Sequence, residues 1–374
     1  MLKPLKTSAF LTLLTALMLL LTTSMVSAIE VPNLYRASVI ISNQSSQART
    51  TAQRDVFTKV LVKVSGNHDV LANETVKSAV RKASQYLNQY RFIRDDNNEL
   101  TLEASFDQGK VNRLLRQESL PIWGKRRPSV LMWMAGEDSD TLTRQVISKE
   151  SYPHVLRQIE RLSKDRGLPV IFPLYDLQDN KVVSVSDVWG HFFEHIDAYS
   201  QRYNVDALVI SRFWYEQPGS SANVGGTQAP VNEQNWKLQW RLYEQGKLIE
   251  NHIITGELNR LMALLVNTMA DKYAAEYAVD SLNLDNASRI VLTVRNVSDI
   301  THLMAAEKLL MSFSAVADVL LKTINNDVAE FEIVLVGELL DLLQGLDLER
   351  HLVKDLDPLA RKADSQTLEF RWVP

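Results

Sequence analysis

The chain of 374 residues contains no cysteine. That excludes disulfide staples, thiolate nucleophiles, Cys-ligated zinc and iron–sulfur clusters, together with the lipid-acceptor Cys of a bacterial lipoprotein. An excess of one charge is also missing: 41 Lys plus Arg stand against 45 Asp plus Glu, a formal net charge of -4. No broad cationic field is available for nucleic acid, which is not expected as a partner. Glycine and proline are few, 13 and 11, so the chain is neither collagen-like nor globally disordered. There is no Gly-rich phosphate loop, because Gly225 and Gly226 lie in a polar segment and the Gly246-Lys247 pair lacks the upstream glycine. No G-x-S-x-G elbow offers a serine nucleophile. No cofactor is implied by any motif.

A long apolar run is found at the N-terminus and nowhere else. Lys3 and Lys6 precede residues 9–21, which are almost wholly apolar, and Val26, Ser27 and Ala28 place small residues where a signal peptidase cuts. The run is shorter than the ~20 residues a spanning helix needs. Residues 1–28 are therefore expected to be a removable signal peptide. The mature chain is expected to be periplasmic, secreted across the inner membrane, with no stable membrane span.

The remainder has an ordinary soluble composition, 45% hydrophobic and 23% charged over the whole chain. At ~150 residues per domain its length calls for two or three domains. Periodicity divides it into three small modules of α/β and α+β class. An N-terminal α/β module covers 29–119, with a strand at 35–42, helices around 52–64 and 76–90, strands at 90–94 and 100–106, and a short helix at 110–116. Residues 120–128, with two prolines and a glycine, read as a linker. A central α/β module covers 129–280. Its near-continuous apolar run at 129–135, strands at 168–174 and 207–215, and helices at 153–165 and 187–203 favour a mostly parallel sheet covered by helices. A polar loop at 217–234, a hairpin over 235–256 and a helix at 258–277 follow. The C-terminal module, 281–374, has the βαββαβ order of a ferredoxin-like fold, with Ser298 as the cap of its first helix. That topology hosts many unrelated functions.

Three constellations carry candidate chemistry. Trp123, Arg126 and Arg127 form a compact cation–aromatic group that suits a phosphate, an acidic glycan or a partner carboxylate, or fixes two modules together. Glu137, Asp138 and Asp140 follow the first central strand, where an open α/β sheet keeps its ligand crevice, and could act as acid and base, bind a hard cation, or simply form a solvated turn. His191 and His195 are four apart on one expected helix, with Glu194 between them, which is metal-ligand spacing. The same helix carries Trp189, Phe192, Phe193 and Ile196 as its buried stripe, which turns both histidines to solvent, so no metal is assigned.

Residues 52–67 (AQRDVFTKVLVKVSGN), 120–133 (LPIWGKRRPSVLMW) and 187–212 (DVWG, AYSQRY and VDALVISR) together resemble domain-of-unknown-function family 2066, uncharacterised exported proteins of gamma-proteobacteria. This resemblance implies export and the modular architecture and brings no established activity. The central module is more distantly similar to TolB amino-terminal, CsgG and LpoB-type domains, from whose lipid-anchored members this chain departs in lacking a cysteine.

The reading that follows is a non-catalytic binding or assembly protein of the cell envelope whose partners are envelope proteins. It would bind in a groove between modules or along an exposed sheet edge. An envelope hydrolase using Glu137, Asp138 or Asp140 and a purely structural spacer are the alternatives. A cleft converging on those carboxylates would favour the hydrolase, and rigid interfaces with no open groove would favour the spacer.

Overall fold

The computed structural model describes residues 29–94, 99–176, 179, 182–216, 236–279, 288–355 and 368–373. The expected leader and the polar loop at 217–234 lie outside them. After β1 (Ile29–Glu30) and β2 (Arg36–Ile40) comes α1 (Ser46–Ser65). The Ser45 side chain caps its start by accepting from the Ala48 N–H, and Gly66, at φ 78°, ends it with an N–H to the Val62 carbonyl. Next is α2 (Glu74–Arg81), whose N-cap Asn73 accepts from the Val76 N–H, then β3 (Leu87–Arg94), β4 (Leu100–Phe106) and α3 (Gln108–Gln117). The three longer strands form an antiparallel sheet in the order β2-β4-β3. The apolar stripe of α1, including Val56, Phe57, Val60 and Leu61, packs on it against Leu102 and Phe106.

The central module begins with β5 (Arg126–Arg127), which pairs antiparallel with β1, and β6 (Val130–Glu137). It continues through β7 (Arg144–Val146), α4 (Pro153–Arg166), β8 (Val170–Ile171), α5 (Val185–Gly190), α6 (Phe193–Ser200) and β9 (Ala207–Tyr215). Then come β10 (Trp236–Glu244), β11 (Lys247–Gly256) and α7 (Leu258–Tyr277). The sheet runs β11-β10-β9-β6-β7, with β8 also on β6. It is parallel at its centre, where β6 pairs with β8 and β9, and antiparallel towards its edges. The β10–β11 turn uses Gln245 at φ 47° and Gly246 at φ 78°, the paired left-handed residues that match strand twist. Residues of α4 and α7 fill the core on one face of the sheet, and residues of α5 and α6 fill the other. Burial on both faces explains the unbroken apolar run of β6.

One long helix was expected at 187–203, and there are two. Gly190 is a poor helix former, and His191 takes a left-handed conformation (φ 55°) with its N–H on the Asp187 and Val188 carbonyls, closing α5. The break corrects the placement of one histidine: His191 turns inward and is only 6% exposed, not solvated, whereas His195 is exposed.

The third module comprises β12 (Ser288–Arg295), α8 (Ile300–Met311), β13 (Val316–Asn325), β14 (Val328–Leu335), α9 (Leu339–Asp347), β15 (Leu352–Lys354) and β16 (Leu368–Trp372). Asp299, one residue past the expected Ser298, caps α8 by accepting from the His302 N–H. The order β13-β14-β12-β16-β15 keeps the ferredoxin-like neighbours of β12 and adds an edge strand. Because β15 already returns antiparallel to β12 and the chain then reverses, β16 runs parallel to β12. Among the described residues no helix is long and apolar enough to cross a membrane.

Candidate functional site: the junction and the cleft beside it

The segment expected to be a linker is in large part buried. Trp123 and Arg127 have no exposed surface. The last carbonyls of a helix lack intrahelical partners, and here they find them at the junction. The Trp123 N–H donates to the Val64 carbonyl at 2.7 Å, and Arg127 Nη2 to Lys63 O at 2.7 Å and Trp123 O at 2.9 Å. From the end of α4, Arg127 Nη1 reaches Arg166 O at 2.9 Å and Gly167 O at 3.0 Å, while Nε donates to Gly124 O at 2.9 Å. All five guanidinium N–H groups are thus used, between two helix C-termini whose dipoles favour a cation. Burial lowers the Arg127 pKa to about 9, which leaves it charged at neutral pH. The reciprocal tie is Arg166, whose Nη2 donates to Gly66 O at 2.7 Å and Asp271 Oδ1 at 2.6 Å. Arg126 points to the third module: it pairs with Glu349, donates to Ser312 Oγ at 2.7 Å, and lies 4.5 Å from the Phe313 ring centroid.

Beside this junction, the first and central modules enclose a cleft of 480 Å³. One wall is β2, from Arg36 to Ser38, with the preceding Val31, Pro32 and Asn33. The other is the end of α4 with Gly167 to Val170. Its lining includes Lys63, 3% exposed, and Ser163, whose buried Oγ has no partner among the described residues. Burial lowers the Lys63 pKa to about 8 against the pull of Asp165, and its Nζ donates to the Arg36 carbonyl at 2.9 Å. Lys59 does the same to Ser38 O at 3.3 Å while pairing with Asp165 at 2.8 Å. Two carbonyls of β2 are therefore occupied by lysines, a device that blocks pairing with a foreign strand. What the cleft offers a guest is mixed charge from Arg36, Glu103, Glu160 and Lys164, with the Lys63 amine and the Ser163 hydroxyl buried behind it.

The residues singled out in the sequence have different fates. Trp123 and Arg127 are internal, with no exposed surface. The reason is the helix-end carbonyls that require a donor there. Arg126 is committed to Glu349. Glu137 is bound to Arg144 at 2.9 Å, which itself lies 4.1 Å from the Trp189 ring centroid. Asp138 holds the β6–β7 turn by accepting from the Thr141 N–H and Oγ1 and the Asp140 N–H, bonds that keep its carboxyl below the usual range. Asp140 is exposed. The three acids lie at the end of β6 and in the turn after it, and none of them lines the cleft beside the junction. His195 pairs with Asp187 at 3.3 Å, while His191 follows two residues after Trp189, whose carbonyl accepts from Arg212 Nη1 at 2.7 Å. Among the described residues no three His, Asp or Glu gather to hold a metal.

Lys63 and Ser163 were not singled out from the sequence. A signal was present: Lys63 falls seven residues after Val56 and three after Val60, on the apolar stripe of α1, where a lysine has to be buried or to snorkel.

The model of a family described as a domain of unknown function, DUF8605, matches residues 28–124, from β1 through α3 into the junction. No curated protein matches the chain. Among solved structures, the crystal structure of lipoprotein GNA1162 from Neisseria meningitidis is similar at 16% identity and a TM-score of 0.23, covering 40% of this chain and 99% of that one. A likeness so remote bears on neither fold nor function.

Proposed function

We propose that the chain is a non-catalytic periplasmic binding or assembly protein of the cell envelope, and that its partner, an envelope protein, enters the cleft between the first and central modules. The observation that carries this reading is the cleft itself, lined by the charged Arg36, Glu103, Glu160 and Lys164. The leader-like residues 1–28 and the likeness to family 2066 support export. An open cleft speaks against a mere spacer, and the capping of β2 by Lys59 and Lys63 favours the cleft over strand addition at that edge.

The test is photo-crosslinking in the native envelope from Lys164 at the cleft, with Glu194 on α6 as the remote control. One envelope protein recovered from the cleft position and not from Glu194 supports the reading. Equal labelling from both positions, or no partner together with turnover of a cell-wall substrate, overturns it.

A further inference from the structure

A second arrangement lies on the opposite face of the central sheet, away from the cleft. Arg241 on β10 is paired with Ile210 on β9, so Arg212, two residues further along β9, stands on the same face. Arg212 donates through Nε and Nη2 to Gln239 Oε1 at 3.1 and 2.9 Å and through Nη1 to the Trp189 carbonyl at 2.7 Å. These acceptors are neutral, and they leave two of the five N–H groups of a guanidinium for another ligand. Arg241 is half-buried, makes no ion pair among the described residues, and has its Nε buried without a partner. His191 is 6% exposed, and its Nε2 likewise has no partner.

Charge left half-buried without a counter-charge is costly, and the surrounding acids are already engaged. Glu137 on β6 is held by Arg144 on β7, and Asp187 on α5 by Ser184 and by His195 on α6. Trp189 and Trp214 hold Arg212 in place, their ring centroids 5.4 and 5.3 Å from its Cζ. We propose that Arg212, Arg241 and His191 form a binding site for a phosphoryl oxyanion. A phosphoryl group carries about −1.5 to −2 charges at pH 7 and balances both guanidiniums, whereas a carboxylate leaves one uncompensated. Arginine forks suit its oxygens, and the imidazole adds a short-range hydrogen bond. Burial, and after it the charges of Arg212 and Arg241, push the His191 pKa down to about 4. A bound dianion reverses that electrostatic pressure and raises it.

The experiment is calorimetric titration of the full chain with inorganic phosphate at constant ionic strength set by chloride, alongside sedimentation with vesicles of phosphatidic acid, a phosphomonoester, or of phosphatidylcholine. Saturable phosphate binding, weakened ~tenfold or more in Arg241→Gln and unchanged in the remote Lys322→Ala, assigns the site to free phosphoryl ligands. Binding to phosphatidic acid vesicles alone, lost in Arg241→Gln, assigns it to a lipid headgroup. In either case the His191 ring resonance, followed by NMR, titrates at higher pH with ligand than without. His191→Asn, which suits the left-handed backbone there, provides a second variant that retains the turn and weakens binding. Absence of both kinds of binding, or equal losses in Arg241→Gln and Lys322→Ala, overturns the proposal.

Discussion

The Arg127 guanidinium carbon stands 3.8 Å from the ring centroid of Trp123, and both side chains are wholly buried where α1 and α4 end. A cation thus closes two helix ends without a carboxylate. Arg127→Ala leaves up to five carbonyls dry, each worth about 1–3 kcal/mol if water does not reach it. Arg127→Lys supplies three donors in a different geometry and is not conservative here. Both variants are expected to lose at least about 3 kcal/mol in denaturant unfolding. A loss under about 1 kcal/mol in either would show that the carbonyls find other donors.

Gly167 is fixed by the same contact. At φ 67° it lies in the left-handed region, and a Cβ there would come within 2.6 Å of Arg127 Nη1 and 2.9 Å of Lys63 Cγ. Gly246 has a similar φ of 78° but open space around it. Gly246→Ala is expected to cost about 1 kcal/mol for backbone strain alone. Gly167→Ala adds about 1–3 kcal/mol of overpacking. Equal melting-temperature losses in the two variants would show that the junction yields to the methyl group.

Much of this architecture was legible in the sequence, since β4, β9 and α7 carry clean periodicity and lie within the expected ranges. The junction was not. Its Pro and Gly content reads locally as a linker, and only the unpaired carbonyls of two distant helix ends reveal why Trp123 and Arg127 are drawn inside. Alternation along β10 marks Lys237, Gln239 and Arg241 as one polar face, which reads as solvated until α5 and the turn at His191 are placed near it. The hinge at His191 was hidden for a similar reason: Val188 and Ile196 are both buried and fit one helical stripe, so periodicity passes over the break after Gly190.

Arg126 and Glu349 join the junction to the third module through a pair whose side chains are 9% and 7% exposed. Removing either partner strands the other and is expected to cost about 3–5 kcal/mol. Replacing both by apolar residues, as in Arg126→Met with Glu349→Leu, is expected to be nearly neutral, because it also removes the desolvation penalty. Additive losses in this double-mutant cycle would mean that Arg126 acts through Phe313 and Ser312 rather than through the acid.

The depressed pKa values of Lys63 and His191 give stability a defined pH dependence. Lys63 falls from 10.5 to about 8, so above pH 8 the unfolded chain binds the extra proton and stability rises with pH. The rise between pH 8 and 10 is expected to be about 2 kcal/mol. Above pH 10 the half-buried phenols of Tyr152 and Tyr203, pushed up to about 12, act in the opposite direction and limit the window. His191 falls from 6.5 to about 4, so its neutral form favours the fold above pH 6.5, and stability declines as pH drops towards 4. Lys63→Met should remove the alkaline rise and His191→Asn should flatten the acid decline, each by about 2 kcal/mol in denaturant titrations across the window concerned. Keeping the wild-type slope in both variants would mean that neither group is held away from its charged form. A flattened slope in only one would assign the burial penalty to that site alone.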